Sequence, residues 1–261
     1  MGCSMRPDER CLREIRERGY TLVEGVLKHE EIAPLRQLLK VCIDEDLRRW
    51  GGPDYRDGWM VQNLMARGLP FARLLENETV HAYFSELLGD TCIIYAYTSS
   101  SLPARGSNFS QRVHVDCPRL ISGYITNATC LIALDDFTAD NGATYFLPGS
   151  HTRLDKPSEE EFMAGAERLF PCAGDAIVFN CRTYHMGGLN RTARPRHAIG
   201  MQACRSYMRQ RFDFPRMVGP DVLAHLGERG RRFLGFNVRV PTSLEEYYVP
   251  EEKRLYKANQ G

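Results

Sequence analysis

Gln111-Arg112-Val113-His114-Val115-Asp116 is the stretch on which the reading of this chain turns. If the segment is extended, His114 and Asp116, two residues apart, leave the same face of the backbone. A neutral imidazole nitrogen and a carboxylate oxygen can then reach one metal ion together. Taken alone, His-x-Asp is a weak signal, because a surface strand carrying both residues is commoner than a ligand pair.

Working outward, a third ligand is available in His185, within Thr183-Tyr184-His185-Met186-Gly187-Gly188, after an apolar run that reads as a strand. Two histidines and one carboxylate on one side of an octahedral ion leave three positions open, the pattern of non-haem Fe(II) centres that activate oxygen. The remaining histidines have duller readings. His29, His81 and His225 are expected on helices as surface or packing residues, and His151 ends the run Pro-Gly-Ser-His. His197 alternates away from its neighbour Arg196.

At 261 residues the chain can bury a substantial core, and 43% hydrophobic with 26% charged residues is an ordinary globular composition. A formal charge of +1 gives no argument for nucleic acid or an anionic membrane. No apolar run approaches the roughly 20 residues of a membrane span. The start, Met-Gly-Cys-Ser-Met-Arg, resembles a myristoylation signal but has Arg6 where Ser or Thr is wanted. Nine cysteines without close pairs point to reduced thiols in a cytoplasm, with Cys92, Cys130 and Cys204 as small core residues. The expected partner is a small molecule, with neither nucleic acid nor membrane; the sequence says nothing of the oligomeric state.

Residues 7–18 predict a short helix stopped by Gly19, 20–23 a strand, and 28–49 a longer helix. Its Ile32, Leu35, Leu38, Leu39, Cys42, Ile43 and Leu47 recur at three and four. Gly51–Gly58 reads as a loop or lid, and 69–75 and 79–88 as helices. Then come short β-branched or aromatic runs at 91–101, 124–126, 129–134, 144–147, 176–180 and 196–207, separated by turn residues. Helices are expected near 158–166 and 221–228. The fold class is mainly β with a helical N-terminal layer: a double-stranded β-helix, or jelly roll, of cupin type. One domain is expected over 1–261, with its core at about 91–211, helical support at 1–90 and a C-terminal extension at 212–261.

The order of motifs narrows this further. Asp140-Asn-Gly-Ala-Thr-Tyr-Phe-Leu-Pro-Gly-Ser-His151 is followed by Ala173-Gly-Asp-Ala-Ile-Val-Phe-Asn180, His185, Asn190, Thr192 and Arg196. In that order the chain, over roughly Gly19–Arg211, resembles the phytanoyl-CoA dioxygenase family of Fe(II)- and 2-oxoglutarate-dependent oxygenases. The resemblance places iron on His114, Asp116 and His185. It also implies an arginine eleven residues beyond the distal histidine, which is Arg196, holding the far carboxylate of 2-oxoglutarate. A guanidinium suits that role because it grips a carboxylate through two parallel hydrogen bonds. Arg191 and Arg194 compete by proximity, but Arg196 opens a strand whose same-face partners Ala198 and Gly200 are small. Thr144 offers a hydroxyl to the same co-substrate or serves only its turn. Arg112 shares the face of His114 and Asp116, and either looks into the site or bends to solvent. Gly187 and Gly188 allow close backbone approach beside the distal histidine.

The family's chemistry couples 2-oxoglutarate and O2 to oxidation of an unactivated C–H bond, releasing succinate and CO2. Related halogenases lack the carboxylate ligand; Asp116 is present, which favours oxygen transfer. Tyr95, Tyr97, Phe109 and Tyr124, or Arg105, Arg112, Arg119 and Arg205, are candidates to face the substrate. Val115 departs from the human phytanoyl-CoA enzymes, which carry Gln there, and the chain ends Ala-Asn-Gln-Gly without a peroxisomal signal. A small secondary metabolite is therefore the expected substrate. The rival reading is a non-oxygenase cupin-like metal protein, either a zinc hydrolase or an inactive ligand-binding member.

Overall fold

The computed structural model describes residues 6–51 and 59–260, so most of the expected loop at Gly51–Gly58 and the first five residues lie outside it. Its centre is the strand β3 (Asn127–Ala133), in which all seven residues are buried. A strand buried on both faces needs a layer on each side. Ala128, Cys130 and Ile132 face a helical layer, while Leu131 and Ala133 face a second sheet. The alternation has a period of two, as the pleat requires.

The helical layer comes first in the chain. Helix α1 (Glu9–Arg18) is capped by the Asp8 carboxylate, which accepts from Arg10 N–H, and is stopped at Gly19 in the left-handed region at φ 92°. Strand β1 (Tyr20–Val23) follows, then α2 (His29–Trp50), whose buried stripe is Ile32, Leu35, Leu39, Cys42 and Ile43. Helices α3 (Leu69–Arg73) and α4 (Glu78–Leu88) complete the layer, the latter capped by the Asn77 side chain. These helices pack on Val178, Ile199 and Met201 of the main sheet, and each such aliphatic side chain contributes about 1.5–3 kcal/mol when fully buried.

The remaining strands are β2 (Ile93–Ser99), β4 (Tyr145–Phe146), β5 (Glu167–Arg168), β6 (Ala176–Asn180), β7 (His185–Met186) and β8 (Ala198–Cys204). Helix α5 (Glu159–Gly165), with a capping box from Ser158 and Glu161, lies between β4 and β5. The sheets are five-stranded, β1-β6-β3-β8-β2, and three-stranded, β5-β4-β7, with antiparallel pairing throughout. Phe146 on the small sheet meets Tyr20, Leu131, Phe179 and Ala198 on the large one. This is the jelly roll expected from the sequence, with β1 from the N-terminal region recruited as an edge strand.

Two expected elements differ. Residues 124–126 form no strand: Tyr124 N–H closes a turn on Ile121 O, and the Tyr124 ring is covered by the Arg205 guanidinium at 3.8 Å. The single helix expected near 221–228 is instead α7 (Pro220–Leu223) and α8 (Glu228–Phe233), between the short α6 (Phe214–Met217) and α9 (Leu244–Tyr247). A distant residue causes the break. The Glu76 carboxylate accepts from Gly227 N–H (2.7 Å) and Gly230 N–H (3.0 Å), and so starts a new helix there. Helix propensity cannot show a cap supplied from about 150 residues away.

The loops after β3 and β7 cross backbone on backbone. A Cβ on Gly188 would lie 2.7 Å from Ala143 O and 3.0 Å from Gly142 Cα. Those are backbone atoms, with no flexible end to swing aside. Gly188→Ala is therefore expected to cost about 1–3 kcal/mol, as overpacking does, read as a lower urea midpoint at unchanged slope.

Candidate metal centre

The segment carrying His114 and Asp116 is not a full strand. His114 forms an isolated bridge with His185: His114 N–H donates to His185 O (3.1 Å) and His185 N–H to His114 O (2.9 Å). Asp116 N–H donates to Cys181 O at 2.9 Å, and Gly187 N–H to Ser110 O at 2.9 Å. The segment thus lies antiparallel to 181–187, and the backbone pairing sets the two imidazoles side by side, ring centres 4.2 Å apart and planes tilted by 47°. A Cβ on Gly187 would fall 2.2 Å from Ser110 Oγ, so any larger residue there would have to turn the serine hydroxyl aside.

Both rings are oriented by a backbone carbonyl. His114 Nδ1 lies 2.7 Å from Arg112 O, and His185 Nδ1 lies 3.0 Å from Thr183 O. A carbonyl only accepts, so each Nδ1 carries the proton and each Nε2 presents a lone pair. Those lone pairs converge with Asp116 Oδ1, 3.7 Å from His114 Nε2 and 3.8 Å from His185 Nε2, and all the ligand atoms lie within 4.8 Å of one another. Ligand atoms about 2.1 Å from one ion stand roughly 3–3.5 Å apart, so small side-chain rotations close the set. Thr129 Oγ1, 3.4 Å from Asp116 Oδ2, steadies the other carboxylate oxygen. Burial, reinforced by the neighbouring His185, pushes His114 down to about 4, so its ring is neutral near pH 7. The donor set fits a divalent ion, with an open side facing a cavity of about 290 Å³.

Arg196 is 2% exposed and lies at the far end of the same inner face. It donates to Ser100 O (2.9 Å) and Gly142 O (3.1 Å) and stacks on Phe137 at 4.1 Å. Its Nε is buried without a partner, and it forms no ion pair among the described residues. Burial pushes its pKa down to about 9, partly offset by Asp135. A buried cation held by two carbonyls and an aromatic ring, with no carboxylate in contact, fits an anionic ligand. Arg196 does not itself line the cavity, but its partner Ser100 does. Arg191 and Arg194 are exposed.

The other expected site residues divide. Thr144, buried at 6%, lines the cavity. Arg112 is exposed at the cavity mouth, its guanidinium 3.9 Å over Phe109, which also lines it. Tyr95 faces the cavity, whereas Tyr97 points into the helical layer and donates to Phe71 O. Arg205 does not face the cavity; it ties Ile125 O and Leu88 O. His197 bonds Ser101 Oγ on the opposite face, His81 packs on Phe233, and exposed His225 sits between helices, not on one.

Gln202, Thr98 and Arg211 also line the cavity and were not anticipated. Gln202 and Thr98 follow from strand periodicity once Gly200 is known to face inward. Tyr95 reaches the cavity through a bulge: the register jumps from Ile94↔Ala203 to Ala96↔Gln202, leaving Tyr95 unpaired. No sequence signal marks that insertion.

His185→Ala removes one of three donors. Titration of the variant with Mn(II) is expected to show affinity weakened by more than about 10²-fold, beyond the loss typical of outer-shell changes. His197→Gln should leave it unchanged.

The profile described as Phytanoyl-CoA dioxygenase (PhyH) matches residues 15–198. Rv1501 of Mycobacterium tuberculosis is 34% identical over 251 residues, covering 93% of this chain and 92% of its own. Dioxygenase FUM3 of Gibberella moniliformis is 30% identical over 267 residues, covering 92% and 86%. Among solved structures, the epimerase SnoN in complex with Fe3+, alpha ketoglutarate and nogalamycin RO superposes with a TM-score of 0.59 at 23% identity, covering 75% of this chain and 82% of that one. That likeness bears on the fold alone. The family match spans most of the chain, and relatives matching nearly all of it include a named dioxygenase: the chain belongs to the phytanoyl-CoA dioxygenase family.

Proposed function

We propose that the protein is an Fe(II)- and 2-oxoglutarate-dependent oxygenase that oxidises an unactivated C–H bond of a small molecule in secondary-metabolite biosynthesis. The observation that carries this is the convergence of His114 Nε2, His185 Nε2 and Asp116 Oδ1 on one point beside a cavity, with an uncompensated Arg196 at the far end of the same face. Iron bound with 2-oxoglutarate would activate O2 toward the substrate, yielding succinate and CO2. SnoN's structure contains Fe3+ and alpha ketoglutarate, which supports the same pair here.

The chain's own residues have distinct tasks in this reading. His114, Asp116 and His185 hold the ion on one side and leave the cavity side open. Arg196 receives the distal carboxylate of 2-oxoglutarate, which replaces lost hydration of a buried guanidinium with a charge-assisted pair. Thr144 supplies a hydroxyl between those two ends. Phe146 and Phe179 pack against the His185 ring, 5.6 and 5.0 Å away, and keep water from its inner side. Arg112 closes the mouth over Phe109. A zinc hydrolase has no need of a buried guanidinium at that place, which disfavours the rival.

The direct test is incubation with Fe(II), ascorbate, 2-oxoglutarate and a metabolite panel, read by mass spectrometry for succinate and an oxidised product; hydrolysis of a panel member without 2-oxoglutarate would favour the zinc reading. Arg196→Ala is expected to raise the 2-oxoglutarate KM by on the order of 10²-fold, because a charged hydrogen bond is worth about 1.5–3 kcal/mol. Arg196→Lys should recover part of it. Because Asp116 occupies a coordination position, the wild type in high chloride should yield no chlorinated product.

A further inference from the structure

Beyond β8 the chain builds a second concavity of about 870 Å³. Apart from Ile93, every residue lining it lies after 198, outside the segment matched by the family profile. Its charged lining is Arg209, Arg211, Arg216 and Arg239 against Asp213 and Glu246. Both acids are engaged. Asp213 pairs with Arg216 at 3.3 Å, and Glu246 accepts from Thr242 N–H and Oγ1–H at 2.6 and 3.0 Å. Arg239 is spent on Phe236, donating to its carbonyl and stacking on its ring. Arg209 and Arg211 form no ion pair among the described residues.

Arg211 also lines the cavity over the metal ligands, so the two spaces share a wall. Its position is fixed: Arg211 N–H donates at 3.0 Å to the carbonyl of Tyr95, the bulge residue. The neighbouring Gln210 side chain ties Ile94 O (2.8 Å) to Leu234 O (3.1 Å), joining β2 to α8. Arg112, also without an ion pair among the described residues, stands at the same mouth. Three unpaired guanidiniums beside a concave surface focus a positive potential on whatever enters.

We propose that this groove is an anion-binding subsite. The substrate of the metal centre carries a phosphate or carboxylate group remote from the oxidised carbon, and Arg209 and Arg211 receive it while the carbon reaches the smaller cavity. The inference rests on the oxygenase reading for its role, but the binding site is testable without it.

The test uses the full chain without added metal, since the probes bind divalent ions. Inorganic pyrophosphate and tricarballylate are titrated calorimetrically into wild type, Arg209→Ala/Arg211→Ala, and the exposed control Arg191→Ala/Arg194→Ala. Wild type and control are expected to bind at least one probe alike, and the groove variant at least ten-fold more weakly. Preference for pyrophosphate assigns a phosphate-bearing substrate, and preference for tricarballylate a carboxylate. Arg209→Lys/Arg211→Lys should retain part of the affinity, which separates lost charge from a disturbed fold. Absence of binding by either probe, or binding indifferent to the groove variant, overturns the proposal. Stabilisation by Mn(II) with 2-oxoglutarate, followed separately by thermal melting of the same proteins, reports on the oxygenase reading alone.

Discussion

The site depends on one reciprocal pair of backbone hydrogen bonds, between His114 and His185. These two bonds bring together residues seventy-one positions apart and set both imidazoles on one side of the chain. The pairing is continued on either side, by Gly187 N–H to Ser110 O and by Asp116 N–H to Cys181 O. Side-chain chemistry then needs little further help. Two carbonyls fix the tautomers, and a carboxylate held near Thr129 completes the set. The sheets supply the rigid frame on which so short a stretch of pairing can keep its geometry.

The frame itself was largely legible. Short β-branched or aromatic runs bounded by turn residues, a period near 3.6 in α2, and stop signals at Gly19 and Gly89 locate most elements within a few residues. The donor triad was legible because His-x-Asp has a spacing and His185 a context. Arg196 was identified by resemblance, and its burial gives that choice a physical reason which neither exposed Arg191 nor Arg194 can match.

What escaped sequence reading was set by contacts distant in the chain. Glu76 splits the expected 221–228 helix by capping a segment far away. Arg205 looked like a substrate contact but is occupied by two carbonyls and a tyrosine ring. Tyr95 and Tyr97 look equivalent in sequence, yet a single unpaired residue sends one to the cavity and leaves the other in the helical core. Such outcomes follow from tertiary competition, which local propensity does not encode.

The bulge at Tyr95 also has an architectural consequence. An extra residue in a strand leaves one carbonyl without a ladder partner, and here that carbonyl accepts Arg211 N–H. The sheet thereby offers an attachment point for chain that is not part of it. The tail beyond β8 is tethered there without entering the ladder of β2 on β8. In the proposed reading, the metal centre and the anion-binding groove are joined there like a tool and its jig.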